Sequence, residues 1–283
     1  MIRFNHGLKL AFSATCSLAV LCSTLPSRAD NIQTLSDQNS SVAIDLSSQA
    51  GMYQWNVDGR SYLAQQWFWY RIGTSGPEAS INTLTLTSVT NLGDELLTTY
   101  TKQGTNSTFT VSLTYTLNGS APGNGSSHIG ETINVANTSG ASLDMHFFQF
   151  SHFTLDGPNT VTLGRGGFGN GFDEAYQTGG GGASLTENVD TVTTPGANHG
   201  EAALFPQTLN ELNDALPTTL NDNPTAGPGD VTWALEWDKT LTASGSGSSL
   251  LISKDKYLQV PEPAVVALVS LGLTVCALRR RRS

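Results

Sequence analysis

Apolar and polar residues alternate through most of the middle of this chain, with the period of a β-strand. Phe109, Val111, Leu113, Tyr115 and Leu117 fall on one side, with Thr, Ser or Tyr-flanking Thr between them. That is the pattern of an antiparallel strand with one buried and one wet face. Over 81–89, Ile81, Thr83, Thr85, Thr87 and Val89 share a face, and Asn82, Leu84, Leu86 and Ser88 take the other. Further strands are predicted at 131–137, 142–155, 160–163, 231–242 and 250–260. Asn118-Gly119 marks a turn. The Ser/Gly run at 244–248 reads as a hairpin loop, because strand patterns stand directly on both sides. Residues 164–182 are glycine-rich and read as a loop. Leu209, Leu212 and Leu216 form a stripe, and Pro206 suits a first turn, so one helix is predicted over 206–216. No fixed-period repeat occurs. The fold expected is mainly β, an antiparallel two-sheet β-sandwich with one short helix.

Both ends depart from this pattern. Arg3 and Lys9 precede an apolar or small stretch at 10–25, and Ser27-Arg28-Ala29 offers small residues at the two positions a signal peptidase reads. Residues 1–29 are therefore expected to be a signal peptide cleaved before Asp30, and Leu21 ahead of Cys22 is too bulky for a lipobox. At the other end, 264–278 carry no charge, and Arg279, Arg280, Arg281 and Arg282 follow. Positive clusters stay cytoplasmic, so the arginines act as a stop-transfer and the bulk of the chain lies across the membrane. This C-terminal transmembrane helix would be about 22 Å long, against a hydrocarbon core of roughly 30 Å. Pro261 and Pro263 bias Val260 and Glu262 toward extended backbone. A stiff segment then stands just outside the bilayer, where a membrane-embedded protease can read it.

Val260-Pro261-Glu262-Pro263, a short apolar helix and a terminal arginine run resemble the PEP-CTERM sorting signal of Gram-negative bacteria. The resemblance covers 260–283. It implies an exosortase-like membrane protease as partner, processing near the motif, and passage from the inner membrane to the cell surface or exopolysaccharide matrix. The implied division is a signal peptide at 1–29, an exported β-sandwich domain at 30–259 and a sorting signal at 260–283.

Composition narrows the chemistry of the exported part. Cys16, Cys22 and Cys276 all lie in the terminal segments, which excludes disulfides, thiol catalysis and thiolate metal sites from 30–259. Of 14 basic residues seven remain there, against 22 of 23 acidic ones, a net −15. Such a surface repels nucleic acid and anionic headgroups.

Motifs for catalysis are sparse. Gly164 to Gly169 match GxGxxG, but Asn170-Gly171-Phe172-Asp173 follows where the dinucleotide fingerprint needs a helix. His146 and His152 share a strand face yet stand about 20 Å apart, so they cannot ligate one ion. His128 and His199 lie without an obvious partner, and HExxH and GxSxG are absent. Asp94-Glu95 and Asp173-Glu174 are adjacent acids of the kind found in turns, although a glycosidase pair needs two such groups in space. Asn221-Asp222-Asn223, near Asp214 and Asp230, offers oxygen ligands without EF-hand spacing. No metal or cofactor site is expected.

Trp67 and Trp69 alternate with Phe68 and Tyr70, and Trp233 and Trp237 flank Leu235. Flat rings can stack on sugars, but aromatic strands more often build sandwich cores. The row Thr83, Thr85, Thr87 occurs once and reads as ordinary strand threonine. The first expectation is a non-enzymatic exported protein with a structural or adhesive role. The alternative is a carbohydrate-binding domain for matrix exopolysaccharide, contacting it through Trp67 and Trp69. A secreted hydrolase ranks third.

Overall fold

The structure, a computed structural model, describes residues 31–261 apart from 105–106, 167–170, 192–194, 244 and 246. The predicted signal peptide, the helix at 264–278, and Glu262, Pro263, Arg279, Arg280, Arg281 and Arg282 lie outside the described residues. Among those described, no helix is long and apolar enough to cross a membrane.

The chain opens with β1 (Ile32–Asp37), β2 (Ser40–Asp45), β3 (Gly51–Val57), β4 (Arg60–Ser61), β5 (Leu63–Ile72) and β6 (Ala79–Ser80). It continues with β7 (Thr85–Asn91), β8 (Glu95–Lys102), β9 (Phe109–Gly119), β10 (Ser126–Asn137), β11 (Leu143–Phe153) and β12 (Asn159–Gly164). Then come β13 (Glu174–Gly179), β14 (Ser184–Val189), β15 (His199–Leu204), α1 (Gln207–Glu211), β16 (Thr225–Gly229), β17 (Val231–Leu241) and β18 (Ser249–Gln259). They form two nine-stranded sheets. The first has the order β1-β2-β3-β5-β11-β17-β15, with β4 beside β3 and β6 beside β5. The second runs β16-β12-β13-β14-β18-β10-β9-β8-β7. Among the described residues the chain adopts the expected mainly-β architecture of two antiparallel sheets and one short helix, with only the brief β3–β5 contact parallel.

Alternation decides which residues fill the space between the sheets. Phe109, Val111, Leu113, Tyr115 and Leu117 are all buried, as their spacing predicts. Facing them from the first sheet are the inward residues of β5, β11 and β17, where Tyr70 meets Phe109 edge-on at 5.1 Å between ring centroids. The predicted inward set Trp233, Leu235 and Trp237 is likewise buried.

Four local expectations need correction. Residues 81–83 form a 3₁₀ turn, and the strand begins only at Thr85. Thr83 Oγ1 donates to Ser80 O at 2.7 Å, a local bond that competes with the ladder. The helix is shorter than 206–216, because Asn213 Nδ2 turns back to Leu209 O at 2.9 Å and Asp214 Oδ1 accepts from Leu216 N at 2.7 Å. Leu216 is left exposed. The stretch 164–182 contains β13, whose Ala175 and Gln177 point inward and are fully covered. Finally, 244–248 is not a hairpin: β17 belongs to the first sheet and β18 to the second, so this connection crosses between them.

The centre of the sandwich holds four charges. Lys254 and Lys256 of β18 each place Nζ 2.6 Å from Glu131 Oε2 of β10, and Glu187 of β14 lies 3.5 to 3.7 Å from the same two amines. From the opposite sheet Gln66 Nε2 donates to Glu131 at 2.9 Å and Gln149 Nε2 to Glu187 at 2.7 Å. Burial pushes the Glu131 carboxyl up, but the two ammonium groups and Gln66 outweigh it and hold the carboxyl at about 2. Burial also raises the Tyr115 phenol, as does the Glu131 charge beside it. An interior quartet of balanced sign is tolerable only because each charge is paired.

Candidate functional site

The outer face of the first sheet carries the densest chemistry. On β5 the outward residues are Trp67, Trp69 and Arg71, the inward ones Gln66, Phe68 and Tyr70. Register then sets Arg71, His146 and Asp238 side by side on β5, β11 and β17. The next row sets Trp69, Phe148, Glu236 and His199 side by side on β5, β11, β17 and β15. Four strands far apart in sequence thus bring two histidines, two carboxylates and one arginine to one patch.

This face is roofed by residues 205–224, including α1. Asn213 Oδ1 accepts from Trp69 Nε1 at 3.3 Å, and Thr218 O accepts from Arg71 Nη2 at 3.0 Å. Arg71 Nε and Thr218 N both donate to Glu78 Oε1, at 2.8 and 2.9 Å. Thr208 Oγ1 donates to Glu201 Oε1 at 2.6 Å, and Leu220 N to Glu236 Oε2 at 2.8 Å. Trp69 is thereby 0% exposed, and Trp67 is equally covered by other segments, its Nε1 donating to Ser80 Oγ at 3.0 Å and its ring meeting Tyr100 of the second sheet edge-on. The expectation that they contact carbohydrate is corrected, since neither ring has a face left for a ligand.

Beyond the roof's edge the patch opens. His146 Nδ1 lies against Asp238 Oδ1 and 3.5 Å from Glu236 Oε1, and its Nε2 is 3.7 Å from Asp144 Oδ2. His199 joins from β15, with Nε2 3.8 Å from Asp238 Oδ2 and Nδ1 3.1 Å from Asp222 Oδ1. Arg165 Nη2 reaches Asp222 at 3.2 Å, its guanidinium 3.8 Å from the centroid of the Phe172 ring. The side chain of Glu236 is fully covered, whereas Asp238 is 30% and His199 33% exposed. A cleft of ≈ 460 Å³, within the range of ligand sites, lies along the sheet edge and shares Asp238 and Arg165 with this patch. The cluster itself sits on the outer face, so Asp238 is the link between the two.

Both ring nitrogens of His146, Glu236 Oε1 and Asp238 Oδ1 are buried atoms without a well-aligned hydrogen bond. Buried polar atoms left this way are uncommon and mark the patch as a candidate site. Burial drives the Glu236 carboxyl up to about 8; the Leu220 amide and Arg71 pull the other way, and the Asp238 charge adds to the rise. Glu236 therefore holds a proton near neutral pH, and the nearest carboxylate to His146 Nδ1 is that of Asp238. The arrangement provides a proton donor and an imidazole acceptor converging on one small region. The same three side chains keep one donor atom each within 4.8 Å of one another, a set that can also take a divalent cation.

Of the histidines named from the sequence, His146 and His199 join this cluster, and His146 alone lies against Glu236. His152 stands at the far end of β11, bonded to Asp230 at 2.7 Å and stacked on Phe205. Asp222 serves His199, and Asp173 Oδ1 accepts from Gly166 N at 2.9 Å. Asp94 is exposed beside Glu95 at the start of β8. Arg71, Glu236 and Asp238 were not singled out by the sequence reading; their strand parity was legible, but not which strands pair. At the C-terminal edge, Val260 is 3% exposed and its N–H donates to Gly125 O at 2.6 Å. Val260 therefore closes the sandwich, and Pro261 after it is exposed.

No family model matches the chain, and no curated protein matches it. Solved structures do. A protein from Escherichia coli K12 provisionally designated aldose 1-epimerase is 11% identical, with 82% of this chain and 99% of that one covered at a TM-score of 0.50. A galactose mutarotase related enzyme from Lactobacillus acidophilus is 7% identical, with coverages of 82% and 98% and a TM-score of 0.52. The likeness is one of fold. It corrects the non-enzymatic expectation, because the neighbours sharing this fold are designated enzymes of sugar chemistry.

Proposed function

We propose that the exported domain binds an aldose sugar at the His146–Glu236–Asp238 patch and moves protons on it, in the manner of an aldose 1-epimerase. The observation that carries this reading is Glu236 Oε1, buried, protonated near neutrality and 3.5 Å from the imidazole of His146. Opening a cyclic hemiacetal needs a proton given to the ring oxygen and another taken from the anomeric hydroxyl. Both oxygens sit on one carbon, so acid and base must converge. Protonated Glu236 is the donor; His146, whose Nδ1 is held by Asp238, accepts through Nε2; reclosure of the ring reverses the transfers. Leu220 N–H occupies Oε2 and Oε1 is itself covered, so a sugar reaches it only when the 205–224 roof lifts on the side where Asp238 and His199 meet solvent. The fold shared with a galactose mutarotase related enzyme supports the substrate class.

The test is anomer exchange of glucose and galactose, followed by magnetisation-transfer NMR with the full chain. Acceleration is expected, falling about 10²-fold or more in Glu236→Gln and in His146→Asn. Equal exchange in parent and variants would remove the catalytic assignment. Binding without exchange would reduce the site to a carbohydrate-binding module.

The sorting reading rests on sequence alone. Val260-Pro261-Glu262-Pro263, the apolar run and the arginines support an exosortase-like processing step, after which the domain would reside at the cell surface or in the exopolysaccharide matrix. A sugar-handling domain suits that destination.

A further inference from the structure

The second sheet also has an outer face, and its chemistry differs. Thr162, Tyr176, Thr186, Tyr257, His128 and Asn118 lie in one cross-strand row over β12, β13, β14, β18, β10 and β9. Tyr176 is 44% and Tyr257 51% exposed, whereas most of the described aromatic side chains are buried. His128 stacks on Tyr257 with centroids 4.4 Å apart and planes 16° from parallel, and its Nε2 is held 2.7 Å from Asp255 Oδ1. One face of the Tyr257 ring is therefore taken, and the other looks along the row toward Thr186 and Tyr176.

Two strand spacings separate the tyrosines, about 9.6 Å. That leaves room over the small Thr186 for one pyranose ring and matches a disaccharide unit of an extended chain. On the His128 side the row runs into a hollow of ≈ 270 Å³ lined by Asn118, Ser126, His128, Tyr257 and Gln259 among others. Amides and hydroxyls beside an exposed ring are the groups that hold a sugar's hydroxyls and its apolar face. The outward positions of β9, β10, β13, β14 and β18 are mostly Thr, Ser and Asn, without Lys or Arg. An anionic polymer would meet no counter-charge there.

We infer that this face binds a neutral, extended polysaccharide laid across the strands, with one sugar ring between Tyr176 and Tyr257. No residue of the row belongs to the His146–Glu236–Asp238 patch, so the inference stands apart from the catalytic reading. It gives the domain a way to remain on a polymer that the first sheet does not contact.

Affinity electrophoresis of the full chain in mild detergent tests it, through gels holding hydroxyethylcellulose, xylan or galactomannan, with alginate as the anionic comparison. Retardation is expected in at least one neutral gel and not in alginate. Tyr257→Ala and Tyr176→Ala should each weaken it about tenfold; Tyr257→Phe, which keeps the ring, and Glu236→Gln, on the other sheet, should not. Absence of retardation in all three neutral gels, retardation by alginate, or retardation unchanged in both alanine variants would each overturn the inference. So would its loss in Glu236→Gln, which would assign the binding to the first sheet.

Discussion

Replacing Glu236 by Gln should stabilise the fold while removing its proposed chemistry. In the unfolded chain the carboxyl ionises near its ordinary value of 4.5; in the fold burial raises it to about 8. Between those pH values the folded protein keeps a proton that the unfolded chain has released. Stability from this group is therefore fully present below pH 4.5 and falls as pH rises through the window, levelling above about 8. At 1.36 kcal/mol per pH unit, retaining the proton at pH 7 costs about 3 kcal/mol. Gln has the same shape, its amide oxygen can still accept from Leu220 N–H, and it has no proton to retain. Glu236→Gln is thus expected to exceed the parent by up to about 3 kcal/mol at pH 7, roughly 6–12 °C in Tm for a domain of this size. The gap should close toward pH 4.5. Urea and thermal melts followed by tryptophan fluorescence between pH 4 and 9 would measure it. A gap that does not change with pH, or a variant less stable than the parent at pH 7, would refute the argument and show Glu236 to be ionised in the fold.

Other perturbations follow from the same structure. Lys256→Met leaves Glu131 and Glu187 with a single amine and should destabilise by about 3–5 kcal/mol in urea melts; the double variant with Glu131→Gln should recover part of the loss. Gly51 has φ +56°, and a Cβ there would collide with the Trp67 ring and the Gln66 carbonyl. Gly51→Ala should therefore lower stability by roughly 3 kcal/mol, combining left-handed strain with overpacking. If 260–283 is a sorting signal, replacing Pro261, Glu262 and Pro263 by alanine should leave an unprocessed, membrane-bound form, read by intact mass and cell fraction.

Much of the sandwich was legible because its strands obey a strict period of two. Phe109 through Leu117, and Trp233, Leu235 and Trp237, announce a buried face without any knowledge of their partners. What failed depended on non-local pairing or on side-chain competition. The hairpin at 244–248 is reasonable from flanking strands alone, yet β17 and β18 find their partners in different sheets. Trp67 and Trp69 alternate with inward residues, as a binding role would require, but Trp69 lies under the roof from 205–224 and Trp67 is packed against Ser80 and Tyr100. Glu236 and Asp238 look like ordinary polar positions of an amphipathic strand until β11 brings His146 alongside. Tyr176 and Tyr257, 81 residues apart, gain meaning only through the register of β13, β14 and β18.

The most direct test of the account titrates glucose and galactose into the full chain with labelled histidine and tyrosine side chains, watched by NMR. The His146 and His199 imidazole resonances should move saturably, with Tyr257 unmoved by the monosaccharide, and the His146 shift should be lost in Glu236→Gln. Resonances that stay fixed at His146 and His199 while sugar binds elsewhere would contradict the central claim.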